Sequence, residues 1–156
     1  MPKINKTKPK SIISEVLERK HEESVKDSKR ISNFKVSFQY LDSSQKYASS
    51  LKDWQSCGLL SCAIETLRGF CSKPLVDSLG GDKFTIYGGF PSEENTLYTK
   101  PTHVPNDAKW ARIHVNGPSV IVGHVVNDTF YVVFLDKTHK FWLTQKDREK
   151  YKNIKR

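Results

Sequence analysis

The run "RIHVNGPSVIVGHVVNDTFYVVFLDKTHKFW" (residues 112–142) limits the fold more tightly than any other part of the chain. β-Branched and aromatic residues fill it, which suits a pleated, half-buried surface. Polar pairs interrupt it at Asn116-Gly117, Asn127-Asp128 and Lys137-Thr138. Asn-Gly is the strongest short hairpin signal, so the run predicts an antiparallel meander within a sheet spanning about 109–145.

Two-residue turns fix register and therefore assign side chains to faces. Closure at Asn116-Gly117 pairs Ile113 with Val120 and Ala111 with Val122. Closure at Asn127-Asp128 pairs His124 with Tyr131 and Val122 with Val133. Closure at Lys137-Thr138 adds a fourth strand, "KFWLTQ", pairing Leu135 with Lys140 and Val133 with Trp142. One face then carries Ile121, Val125, Phe130, Val132, Phe134 and Phe141, the predicted helix-covered core. The other mixes Val120, Val122 and Val133 with His124, Tyr131, Lys140 and Trp142.

The cover for the apolar face lies upstream. "NFKVSFQYLD" alternates as a half-buried strand. Asp42 or Ser43 is placed to cap a helix presenting Tyr47, Leu51 and Trp54, and Gly58 breaks it. A second helix follows with Leu60, Ile64, Leu67 and Cys71 on one face. Together they predict an αα-hairpin at about 43–72, packed on one face of the meander in an α+β domain. A short strand is expected at Phe84 to Tyr87, and the aperiodic, proline-containing stretch 92–109 reads as a surface loop. Three regions result: a basic N-terminal extension (1–33) with a disordered start and a short helix capped by Ser11, the α+β domain (34–145), and a basic C-terminal tail (146–156).

Charge is unevenly spread. Of the net +9, residues 1–34 supply +4 and residues 137–156 supply +6, leaving the middle near neutral at −1. Basic ends of this kind suit contact with phosphates, although solvated tails have the same composition. No apolar run is long enough for a membrane span. Three cysteines in no zinc-ligand pattern read as buried free thiols in a reducing, cytoplasmic setting. The glycine pairs at 80–81 and 88–89 lack the strand–loop–helix context of a phosphate loop, and paired carboxylates and a nucleophile elbow are absent. No metal or cofactor is expected.

An imidazole, a phenol, an ammonium and an indole on one sheet face can stack a base and neutralise a phosphate. His124, Tyr131 and Lys140 are therefore the candidate catalytic cluster. Trp142, Lys137, His139, Arg112, Lys146 and Arg148 are the further nucleic-acid-binding candidates. Each has a structural alternative. A His–Tyr pair is often a satisfied hydrogen bond, Arg112 and His114 fit a solvated edge strand near the core-side rim, His139 fits a solvated turn, and Asp136 fits a turn former.

The order strand, αα-hairpin, antiparallel meander and basic end, over residues 34–142, resembles the RelE/ParE superfamily of bacterial toxins. Those are small basic proteins, many of them ribosome-dependent mRNA endonucleases neutralised by a partner antitoxin. The resemblance implies a metal-independent endoribonuclease acting on RNA, including RNA on the ribosome, with an acidic antitoxin as partner. It matches His124 and Tyr131 in the meander and Lys140 on its last strand to the Lys, Arg, His and Tyr side chains that members use. Phe141 and Trp142 depart from the pattern, standing where the endonucleases often place a tyrosine. A non-catalytic nucleic-acid-binding accessory protein and a protein-interaction module remain open beside the enzyme.

Overall fold

A computed structural model describes residues 11–26 and 32–153, divided into two units at Ser32/Asn33. The expected disorder of the first ten residues lies outside the described residues. The first unit holds α1 (Ile12–Lys26). The Ser11 hydroxyl caps it by accepting from the Ser14 amide at 3.2 Å, and the stripe of Ile12, Ile13, Val16 and Leu17 is exposed.

The second unit is α+β. Its strands are β1 (Lys35–Ser37), β2 (Ala48–Ser49), β3 (Phe84–Gly88), β4 (Lys109–Asn116), β5 (Ser119–Val126) and β6 (Thr129–Asp136). They form one sheet in the order β1-β6-β5-β4-β3, with β2 also paired to β6. The meander β4-β5-β6 is present as expected, but residues 140–145 form no fourth strand. The free edge of β6 is occupied from upstream instead, by β1 in parallel (Lys35 opposite Thr129) and by β2 antiparallel (Ala48 opposite Asp136). Residues 137–144 form a loop, because the Asp136 carboxylate accepts from the Phe141 amide at 2.8 Å and His139 takes a left-handed φ of 60°.

Helices α2 (Leu51–Ser56) and α3 (Leu59–Phe70) make the αα-hairpin. α2 starts later than 43. Asp42 holds a local turn by accepting from the Ser44 amide, whereas Ser50 and Asp53 cap the helix reciprocally. Gly58 makes the break at φ 76°, a conformation costly for any residue with a Cβ. The first face of the sheet is buried under Trp54, Ala63 and Leu67, against Ala111, Ile113, Ile121, Phe130, Val132 and Leu135. Burying each large apolar side chain there contributes about 1.5–3 kcal/mol. Ile64 points outward and is exposed, since the buried stripe runs through Ala63 and Leu67. Cys57 at the end of α2 and Cys62 on α3 are exposed and Cys71 is half-buried, so the thiols are free but not buried as expected.

Three further expectations are corrected by irregularities in the ladder. The first turn is Gly117-Pro118, with Gly117 at φ 52°. A shift near Val115 therefore pairs Ile113 with Ile121 and Ala111 with Gly123. In β6, Val122 pairs with Phe134 and Gly123 with Val132, so Val133 is an extra residue. This β-bulge puts Val133 and Phe134 on the same face, opposite the helices. Phe141 joins them there rather than the helix-covered side. Arg112 and His114 lie on an interior strand, since β3 forms the edge, and alternate with the core residues Ala111 and Ile113. They belong to the second face.

That second face is not open. Tyr98, Val104 and Ala108 of the long loop bury against Trp110, Val120, Val122, Val133, Phe134 and Phe141. The stretch 92–109 is thus a covering segment rather than a surface loop. The Tyr98 hydroxyl donates to the Tyr47 carbonyl at 2.9 Å, and Gln45 bridges both backbone groups of Thr99. No helix among the described residues is long and apolar enough to cross a membrane.

Candidate nucleic-acid interface

His124 and Tyr131 are directly opposed, as their two-residue turn dictates. Their rings stack at 5.0 Å with 13° between planes. His124 is only 1% exposed, with Tyr40 at 5.2 Å and Trp110 at 6.2 Å closing around it. Its Nδ1 has no hydrogen-bond partner, and burial pushes its pKa below the usual 6.5. The result is a neutral imidazole inside an aromatic box, positioned for packing. Lys140 is not in that box. Its ammonium pairs with Asp147 at 3.3 Å and lies over the Tyr151 ring at 5.5 Å. The structure brings together the first two of the candidate catalytic trio and leaves the third on another element.

The other candidates converge elsewhere on the second face. Arg112 and His114 project from β4, two residues apart. His114 pairs across the sheet with Val120, which pairs with Asp136, and His139 follows three residues later. All three basic side chains are half-buried. Burial pushes the His114 pKa down, and the positive charges of Arg112, His139 and Lys83 push it further. Like charges are therefore gathered at some cost. The described ion pairs join Lys35 to Asp128, Arg68 to Glu65 and Lys140 to Asp147, and none includes a member of this group. Asp136, which interacts with His139, is fully buried, and burial raises its pKa even though the Lys140 and Phe141 amides and the His139 charge favour the anion. His139 also buries an Nδ1 without a partner.

An aromatic pair borders the basic group. Tyr87 of β3 and Trp142 stack at 4.7 Å and 9°. Burial raises the Tyr87 pKa while the adjacent Arg112 guanidinium opposes it, so the phenol stays neutral at physiological pH. Trp142 keeps 37% of its surface exposed. Trp142, Arg112 and His139 were visible as candidates in the sequence. His114 is legible there only as a solvated edge residue, and Tyr87 and Lys83 come into view with the β3–β4 register, which places Thr85 opposite Arg112.

The remaining candidates sit at the C-terminal end. Thr144 caps α4 (Gln145–Lys152), accepting from the Asp147 amide at 3.2 Å. Lys146, Arg148, Lys150 and Lys152 are exposed on it, and Arg148 donates to Asn95 at 3.1 Å. A groove of about 500 Å³ separates α4 from residues 93–94. Glu93, Glu94 and Glu149 offset Arg148 and Lys152 along its walls, so it presents no net attraction for an anion. Lys137 is exposed in the loop before Phe141. Among the described residues no group of three His, Cys, Asp or Glu side chains could hold a metal ion. No protein-family model, curated protein or solved structure matches this chain.

Proposed function

We propose that the chain is an RNA-binding protein whose interface is the second-face group of Arg112, His114, His139 and Lys83 beside Tyr87 and Trp142. The carrying observation is that four basic groups from three segments are gathered with no ion-paired carboxylate among the described residues, although their charges lower the His114 pKa. An anion relieves that repulsion, and neighbouring aromatics distinguish a nucleic acid from a simple salt. The exposed lysines of α4 and the net charge of +9 add sequence-independent attraction to phosphates. Free exposed thiols at Cys57 and Cys62 fit a reducing cytoplasm.

Anisotropy titration of a fluorescein-labelled single-stranded RNA tests this. Affinity should fall steeply between about 50 and 200 mM salt. Arg112→Ala should lower affinity and make the logarithmic salt slope shallower by about one. Affinity that is flat with salt would remove the reading.

One observation favours chemistry as a second reading. His114 and His139 interact electrostatically beside a guanidinium, which is the equipment of metal-independent ribonucleolysis. One imidazole would take the 2′-hydroxyl proton as that oxygen attacks phosphorus. The other, protonated, would give a proton to the departing 5′-oxygen, and Arg112 would balance charge on the phosphorane. Products would be a 2′,3′-cyclic phosphate and a 5′-hydroxyl. This version keeps the RelE/ParE-like toxin reading with an acidic antitoxin as partner, and moves its chemistry away from His124. RNA left intact with and without ribosomes would exclude it and leave the binding protein.

A further inference from the structure

We infer that Trp142 is a stacking platform for an unpaired nucleobase, so the interface selects single-stranded over duplex RNA; this rests on the RNA-binding reading. Exposed large hydrophobic side chains include two aromatics, Phe38 and Trp142. Of these, Trp142 alone has a ring partner among the described residues. Tyr87 stacks on the indole at 4.7 Å and 9°, and 37% of Trp142 stays exposed to take a further ring. A base added there continues the stack as a third tier.

The platform is rigid before any ligand arrives. Phe141, its chain neighbour, is 1% exposed and is pinned through its amide to the buried Asp136 carboxylate. Leu143, on the other side, is buried and its amide donates to the Asn95 carbonyl at 2.7 Å. Holding the indole in place in advance lowers the ordering cost of binding. Arg112 interacts with the Tyr87 hydroxyl, so a phosphate-binding cation borders the same stack. In a duplex both faces of each base are already occupied by neighbours, so an aromatic platform of this kind reads unpaired bases.

The test compares three probes of the same length: single-stranded RNA, its duplex, and the same strand carrying abasic residues. Trp54 and Trp110 are 0% and 1% exposed, so quenching of tryptophan fluorescence by RNA reports Trp142. Single-stranded RNA should quench and bind more tightly than the abasic strand by roughly 5- to 150-fold, the range for one stacked base. Trp142→Ala should remove that advantage while keeping the salt slope. Trp142→Phe should retain most of the advantage, which separates stacking from a fold defect. Equal affinity of wild-type protein for normal and abasic strands would overturn the platform while leaving RNA binding intact. Failure of all three probes to bind would overturn both.

Discussion

His124→Ala should damage the fold and leave RNA affinity nearly untouched. The imidazole is 1% exposed and contacts three rings, at 5.0 Å, 5.2 Å and 6.2 Å. Truncating a buried aromatic to alanine costs about 3–5 kcal/mol for phenylalanine or tryptophan. The smaller imidazole removes less volume, and its Nδ1 has no hydrogen bond to lose. A loss of about 2–3 kcal/mol follows, or roughly 5–12 °C in Tm for a chain of this size. His124→Phe keeps the stack and removes an unpartnered polar atom, so it should stay within about 1.5 kcal/mol of wild type. The pH dependence has a definite sign. Because burial lowers the folded-state pKa below 6.5, the unfolded chain takes up the proton first on acidification. The contribution is complete above about pH 6.5 and is lost as pH falls below it. His124→Phe should therefore flatten part of the acid-side decline seen in urea titrations at pH 7.5 and 5.5, with the share due to His114 remaining. An alanine variant as stable as wild type that has lost RNA binding would refute this and return His124 to the interface.

Gly123→Ala should cost roughly 3 kcal/mol or more by chemical denaturation. A Cβ there would overlap the Tyr131 carbonyl oxygen and approach Phe130 Cζ to 2.9 Å. Asp136→Ala should cost about 1–3 kcal/mol by stranding the Phe141 amide, whereas Asp136→Asn should be nearly neutral at pH 7. Burial raises the Asp136 pKa above 3.8, so its stabilising effect is complete below that value and is lost as pH rises through the folded-state pKa. The asparagine variant should lose that dependence. Ser50→Ala should cost about 1 kcal/mol by removing half of the α2 capping box.

What could be read from the sequence was what local chemistry decides. Gly58, the Asn127-Asp128 turn and the pairing of His124 with Tyr131 were legible because two or three adjacent residues determine each. Pro118 undid the first hairpin assignment by one residue, moving the turn to Gly117-Pro118. The β6 bulge left only an indirect trace, a glycine at position 123 across from it. Its effect on the face of Phe134 could not be seen without the partner strand. The fourth strand failed because a carboxylate at 136 captures an amide at 141, a contact that β-propensity does not weigh against the ladder. For the same reason the site was half legible. Trp142, Arg112 and His139 have suitable chemistry in themselves, whereas Tyr87 and His114 gain theirs from neighbours that register supplies. The aperiodic stretch at 92–109 gave no sign that it buries Tyr98 and Val104.

The pairing of β1 and β2 with β6 has a consequence for synthesis. The Lys35–Asp128 ion pair spans 93 residues, so β1 leaves the ribosome long before the strand it needs. At about 5–20 residues per second the wait is roughly 5–20 s. Until then Phe34, Val36 and Trp54 lack the Phe130, Val132 and Leu135 side of their core. The αα-hairpin can form early from local contacts, but it has no sheet to cover until β6 arrives. A nascent chain stalled before residue 129 should accordingly be protease-sensitive and recruit chaperones, and one stalled after β6 has cleared the exit tunnel should not. β6 joins β1 and β2 to the meander in one step, so the sheet stays incomplete at that end until β6 has been made.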